Sequence, residues 1–143
     1  MHTITQSKII MEKGDRCREA MYDELMKVYC KVLGEYDIRT QTEAFERTVR
    51  HAASRFFVEP RRAYQNIYPM LRGDYSRLEQ MKPLRQEMYK ALYDVVMKLS
   101  QKRQFWGKSP FYIVKFAVME PAPRFYIGIE KMRKIFRERR NKR

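Results

Sequence analysis

The chain of 143 residues is poor in the residues that break or staple a backbone, with five Gly, six Pro and two Cys. So few turn formers argue against an all-β fold, whose many short strands need frequent Gly and Pro punctuation. Cys17 and Cys30 fall in one expected helix. They form neither a C-x-x-C pair nor a disulfide framework and read as buried, reduced thiols. Histidine is equally scarce: His2, in an expected frayed terminus, and His51. These four residues do not cluster as zinc ligands. Long apolar runs are missing too. The most apolar stretch, 111–119, is interrupted by Lys115, whereas a membrane-spanning helix takes about 20 predominantly apolar residues. The opening Met1-His2-Thr3-Ile4-Thr5-Gln6 has neither a basic start nor a sustained apolar stretch, so no secretory signal is expected. The expected setting is cytoplasmic, without a membrane partner.

Catalytic equipment is also thin. No nucleophile motif surrounds His51, and the dispersed glycines make no phosphate-cradling loop. Glu43 and Glu46 could in principle hold Mg²⁺, but the matching positions of the second half carry no carboxylate. Pairing with Arg47 or Arg50 one turn away accounts for them better. The chain therefore reads as a non-enzymatic protein with no cofactor and no metal.

What is present is enough to build a core: 44% hydrophobic and 13% aromatic residues in 17.5 kDa, the content of one compact domain and not of a disordered chain. The chain also resembles itself. At an offset of 67, Arg18, Met21, Tyr22, Leu25, Val28 and Lys31 recur as Arg85, Met88, Tyr89, Leu92, Val95 and Lys98. The i, i+3, i+4, i+7 spacing places these matches on one face of a helix. At an offset of 69, Ala53, Arg55 and Phe56 recur as Ala122, Arg124 and Phe125. The change of offset falls in a loop, where insertions are tolerated.

Each half then reads as three helices. In the first, a helix over 15–33 stops at Gly34. A second over 42–52 uses Thr40 or Thr42 as N-cap, and a third starts at Pro60 and ends at 69–73. In the second half, a helix runs from Pro83 to about residue 103. One capped by Ser109 is ended by Pro121 and Pro123, and one spans 129–140. Residues 74–81 form the link. A half of this size is marginal alone. The fold class expected is all-α: one domain over 1–143, two tandem pseudo-twofold units over 15–73 and 82–143. The two first helices, carrying matching Met-Tyr-x-x-Leu faces, should form its seam.

Charge is the strongest functional signal. Lys and Arg number 31 against 17 Asp and Glu, a net +14. Residues 1–73 contribute +3 and residues 74–143 contribute +11. The excess concentrates in Lys131, Arg133, Lys134, Arg137, Arg139, Arg140, Lys142 and Arg143, opposed only by Glu130 and Glu138. A cationic helix running into a basic end attracts phosphate backbones and releases their counterions.

The second helix, turn and third helix of each half resemble the helix-turn-helix modules of DNA-binding proteins over about 25 residues. Ile127, Met132 and Ile135 in one half, and Val58, Ala63 and Asn66 with Ile67 in the other, match the buried positions that seat a recognition helix. The connections Arg55-Phe56-Phe57 and Arg124-Phe125-Tyr126 are longer and more aromatic than the tight glycine-containing turn of that motif. The resemblance implies that the outward positions of each third helix meet nucleic acid, DNA in preference to RNA. These are Arg61, Arg62, Gln65 and Asn66, types able to read base edges, and Lys131, Arg133, Lys134 and Arg137, suited to phosphate, followed by Arg139 and Arg140.

Two further segments carry a choice. Arg55 and Arg124 either bind phosphate or, as the apolar surroundings favour, serve the structure. Trp106 either stacks on unpaired bases from its basic loop or, as is commoner for tryptophan, closes the bundle. The rival to a DNA-binding protein is a helical interaction protein, an accessory subunit of a larger RNA- or phage-associated machine. It would associate with itself or dock on an acidic protein partner.

Overall fold

The computed structural model describes residues 14–141; His2, Lys142 and Arg143 lie outside them. Among these residues the chain forms α1 (Gly14–Glu35), α2 (Gln41–Arg50), α3 (Pro60–Leu71), the single turn α4 (Ser76–Glu79), α5 (Pro83–Ser100), α6 (Pro110–Ala117) and α7 (Ile129–Asn141). A 3-10 turn at Arg103–Phe105 precedes α6. The architecture is a single all-α domain.

Helix starts follow local chemistry. The Thr40 hydroxyl accepts from the Glu43 N–H at 3.1 Å and the Ser109 hydroxyl from the Tyr112 N–H at 3.3 Å, satisfying donors that the first turn leaves unpaired. Pro60, Pro83 and Pro110 open their helices, where proline's missing N–H costs nothing. Gly73, at φ +83°, turns the chain after α3, and Gly107, at φ +76°, reverses it into α6. Gly34 does not terminate α1 as expected: the helix runs through it to Glu35, and it is not in the left-handed region.

Each helix buries one stripe. Tyr22, Leu25, Tyr29 and Val32 of α1 face Ala44, Phe45 and Val49 of α2 within one core that also takes Tyr89, Leu92 and Val96 of α5 and Met132 and Ile135 of α7. These are the 3.6-residue periods visible in the sequence.

The seam lies elsewhere than expected. α1 and α5 are not a principal packing pair; the halves meet through their connecting segments. Ala53 and Ala122 form an antiparallel bridge, exchanging N–H···O bonds of 2.9 and 3.0 Å. The Phe56 N–H donates to the Val118 carbonyl, and the Phe125 N–H to the Val49 carbonyl, both at 2.9 Å. The offset of 69 sets Ala53 against Ala122, and it exchanges the other two bonds. Phe56 corresponds to Phe125 and Val118 to Val49, so the bond from Phe56 to Val118 is the counterpart of that from Phe125 to Val49. The rings follow suit, with Phe56 stacked on Tyr126 (centroids 6.3 Å apart) and Phe57 on Phe125 (6.1 Å).

This bridge also takes up groups that would continue the two second helices. To continue α6, the Ala122 N–H would have to donate to the Val118 carbonyl, but it bonds Ala53 while Phe56 takes that carbonyl. The same holds for Ala53, Val49 and Phe125. α6 runs to Ala117. Its closing turn, with the Met119 N–H donating to the Phe116 carbonyl and the Glu120 N–H to the Ala117 carbonyl, leads directly into Pro121, which has no N–H to continue the helix. Because each connector crosses to the opposite half, α3 packs chiefly on α6 and α5, and α7 on α2.

Candidate nucleic-acid interface

α7 carries its apolar residues Met132 and Ile135 inward, and that decides which cations face out. Lys131, Lys134, Arg137 and Arg140 are exposed. Steps of three wind round the helix, so Lys131, Lys134 and Arg137 span one side, with exposed Glu130 and Glu138 among them. Arg140 lies half a turn from Lys131, over the Phe136 ring. Lys134 and Arg137 make no ion pair among the described residues.

Arg133 and Arg139 leave that face. Arg133 lies over the Phe45 ring (5.7 Å to the centroid), donates to the Thr42 hydroxyl at 3.4 Å and approaches Glu130 at 4.0 Å. Arg139, with a side chain 22% exposed, donates to Glu19 Oε2 and Asp23 Oδ1, each at 2.6 Å. Two charge-assisted bonds of this length tie the end of α7 to α1 and occupy the guanidinium that the sequence assigned to nucleic acid.

In α3, Arg61, Arg62 and Gln65 are exposed as expected. Asn66 is not. It is 5% exposed, and its amide donates to the Tyr89 hydroxyl at 2.9 Å and to the Arg62 carbonyl at 3.1 Å. A buried amide must have such partners, so Asn66 is a core residue and reads no base. The offset of 69 offered a signal: it sets Asn66 against Ile135, which is also buried. Burial holds the Tyr89 phenol above its ordinary value near 10; the hydrogen bond from Asn66 and the charges of Arg85 and Arg62 act against it.

The structure also brings together cations that the sequence reading did not single out. A cleft of about 590 Å³ opens where the starts of α5 and α7 meet the link. Arg77, Lys82, Arg85 and Lys131 line it, with Asn66 and Tyr126, and no carboxylate does. Lys131 belongs both to this cleft and to the exposed side of α7. The Tyr126 phenol is held up chiefly by burial and further by the Glu87 carboxylate, with Arg124 opposing. Arg77, Lys82 and Arg85 are dispersed along a link and a first helical turn, and only the folding of α7 over them gives them a common cavity.

Arg124 donates to the Phe125 carbonyl at 3.0 Å and lies over the Tyr126 ring; Arg55 lies 4.9 Å over Phe57 with its Nη1 at 3.8 Å from the Met119 sulfur. Both guanidinium groups thus cover the connector rings. Trp106 does not close the bundle: it is 64% exposed, its indole N–H donating to the Gln101 carbonyl at 3.1 Å. Of the cysteines, Cys17 is buried but Cys30 is exposed. Glu43 pairs with Arg47 at 3.6 Å. No group of three or more His, Cys, Asp or Glu placed to hold a metal occurs among the described residues. Nor is any helix among them long and apolar enough to cross a membrane.

The chain matches no protein-family model, no curated protein and no solved structure.

Proposed function

We propose that this is a non-enzymatic nucleic-acid-binding protein that holds a duplex, DNA in preference to RNA, by its phosphate backbone. Two related helical halves build it, and each third helix is carried by the second helix of the other half. The observation that carries the reading is the acid-free cleft of Arg77, Lys82, Arg85 and Lys131, extended from Lys131 by the exposed Lys134 and Arg137 on the same side of α7. Such an arrangement neutralises successive phosphates along one track. Arg61, Arg62 and Gln65 supply a second exposed group at the start of α3.

A salt titration of a fluorescently labelled duplex tests this. Log affinity should fall with log salt at about −0.9 per phosphate neutralised. The double substitution Lys131→Ala/Lys134→Ala should make that slope shallower by about two units, since each phosphate-contacting lysine contributes about one. Absence of duplex binding at low salt, or a slope indifferent to the substitutions, would refute the reading.

A groove of about 640 Å³ between α1 and α7, lined by Met26, Tyr29 and Phe136, favours a second reading as a helical accessory subunit. Partners retained in a pull-down after nuclease treatment would support it over the first.

A further inference from the structure

A different face combines rings with cations. α3 and α6 pack side by side, and neither residues 60–73 nor residues 101–119 contain a single Asp or Glu. These two segments carry seven Lys and Arg and no opposing charge of their own, and Arg72, Lys108 and Lys115 lie over their rings, Tyr68, Tyr112 and Phe111.

Two groups of rings lie among these cations, joined by the Lys115 side chain. Tyr68 lies 5.4 Å from Tyr64, and Tyr64 5.3 Å from Phe111 across the α3–α6 boundary. The Lys115 ammonium bridges Phe111 and Tyr112, at 5.3 and 5.6 Å from their centroids. Tyr112 then meets Phe116 at 5.1 Å. Tyr64 and Tyr68 are inclined by 43°, Tyr64 and Phe111 by 72°, so these rings do not fill one another's faces as parallel stacks would. Tyr68 and Phe116 are 36% and 40% exposed. Beyond the second group, after the buried Phe105, the indole of Trp106 stands in solvent, fixed at its N–H edge by Gln101.

We propose that this α3–α6 face binds single-stranded nucleic acid, its exposed rings stacking on unpaired bases while the interleaved Lys and Arg track the phosphates. Stacking tolerates any base because every base has a π-face, and it requires that the base be unpaired. A duplex keeps its bases inside, so rings gain nothing from it. The cations alone would serve either form; the exposed aromatics between them are what select the single strand. The proposal rests on the nucleic-acid reading above but uses none of the cleft or α7 residues that carry it, so the two can fail separately.

Trp106 is the only tryptophan of the chain, so its emission reports directly from this face. The full chain is titrated with a twelve-nucleotide oligothymidylate, and separately with a duplex of equal phosphate count, following both Trp106 emission and the anisotropy of labelled nucleic acid. The single strand should quench Trp106 and the duplex should not. Trp106→Ala and Tyr68→Ala, both at exposed rings, should each weaken oligothymidylate binding by about fivefold or more while leaving duplex affinity in place. Lys131→Ala/Lys134→Ala should leave the quenching intact. Quenching without any duplex binding would remove the α7 reading and uphold this one. Saturation by oligothymidylate with Trp106 emission unchanged, or with both ring variants binding as the parent does, would overturn it.

Discussion

Tyr89 is buried with Asn66 donating to its hydroxyl, and its raised pKa has a consequence for alkaline stability. In the unfolded chain the phenol gives up its proton as pH passes its ordinary value near 10; in the folded chain it holds the proton to a higher pH. Above that value the unfolded state therefore binds fewer protons than the folded one, and stability falls with rising pH. The contribution is complete below pH 10 and is lost as pH climbs through the folded-state pKa. Denaturant unfolding from pH 8 to pH 11 should show this decline, and Tyr89→Phe should lessen it. Phe125 makes the complementary residue-scale case. Its ring is 1% exposed and stacked on Phe57, so Phe125→Ala should cost about 3–5 kcal/mol in the same assay. An unchanged melting temperature would show that the ring bears no load.

At the scale of the element, α7 divides its arginines and lysines by the face on which the helix period puts them. Lys131, Lys134 and Arg137 point outward, and Arg139 turns back to α1. The two classes should respond differently to substitution. Arg139→Ala removes the bonds to Glu19 and Asp23 and should raise hydrogen exchange in the last turns of α7, with a modest loss of stability of about 0.5–2 kcal/mol because the pair is partly exposed. Its effect on duplex affinity should be smaller than that of Lys131→Ala/Lys134→Ala. The reverse order would place the phosphate track on the wrong side of the helix.

At the scale of the whole molecule, the crossing of the connectors makes each half complete the other. α3 rests on α6 and α5, and α7 on α2, so a chain cut in the link at Asp74 should leave two fragments that each lose most of their helix alone. Mixed, they should regain it, as circular dichroism of the fragments and their mixture would show. Either fragment keeping full helicity by itself would mean that the exchanged packing contributes little. The intact chain should unfold in one cooperative transition.

Much of this organisation was legible in the residues. Periodic Tyr, Leu and Val stripes marked the helices, Thr40 and Ser109 marked two starts, and the doubling of Ala-x-Arg-Phe marked the segments that pair across the halves. Local rules suffice there, because a helix and its cap involve residues a few positions apart. The failures share one physical cause. The sequence placed Asn66 outside and Trp106 inside, and paired α1 with α5, because each of those outcomes depends on contacts far along the chain. Asn66 is buried because Tyr89 is there to accept from its amide, and of the adjacent rings it is Phe105 that packs inward, against Tyr112 and Phe116, while Trp106 stays exposed. The amino-acid sequence alone thus settled the helical class, the helix faces and the sign of the charge. Which residues share a surface was decided by the tertiary structure, since the Ala53–Ala122 bridge sends each third helix to the opposite half and no local pattern encodes that crossing.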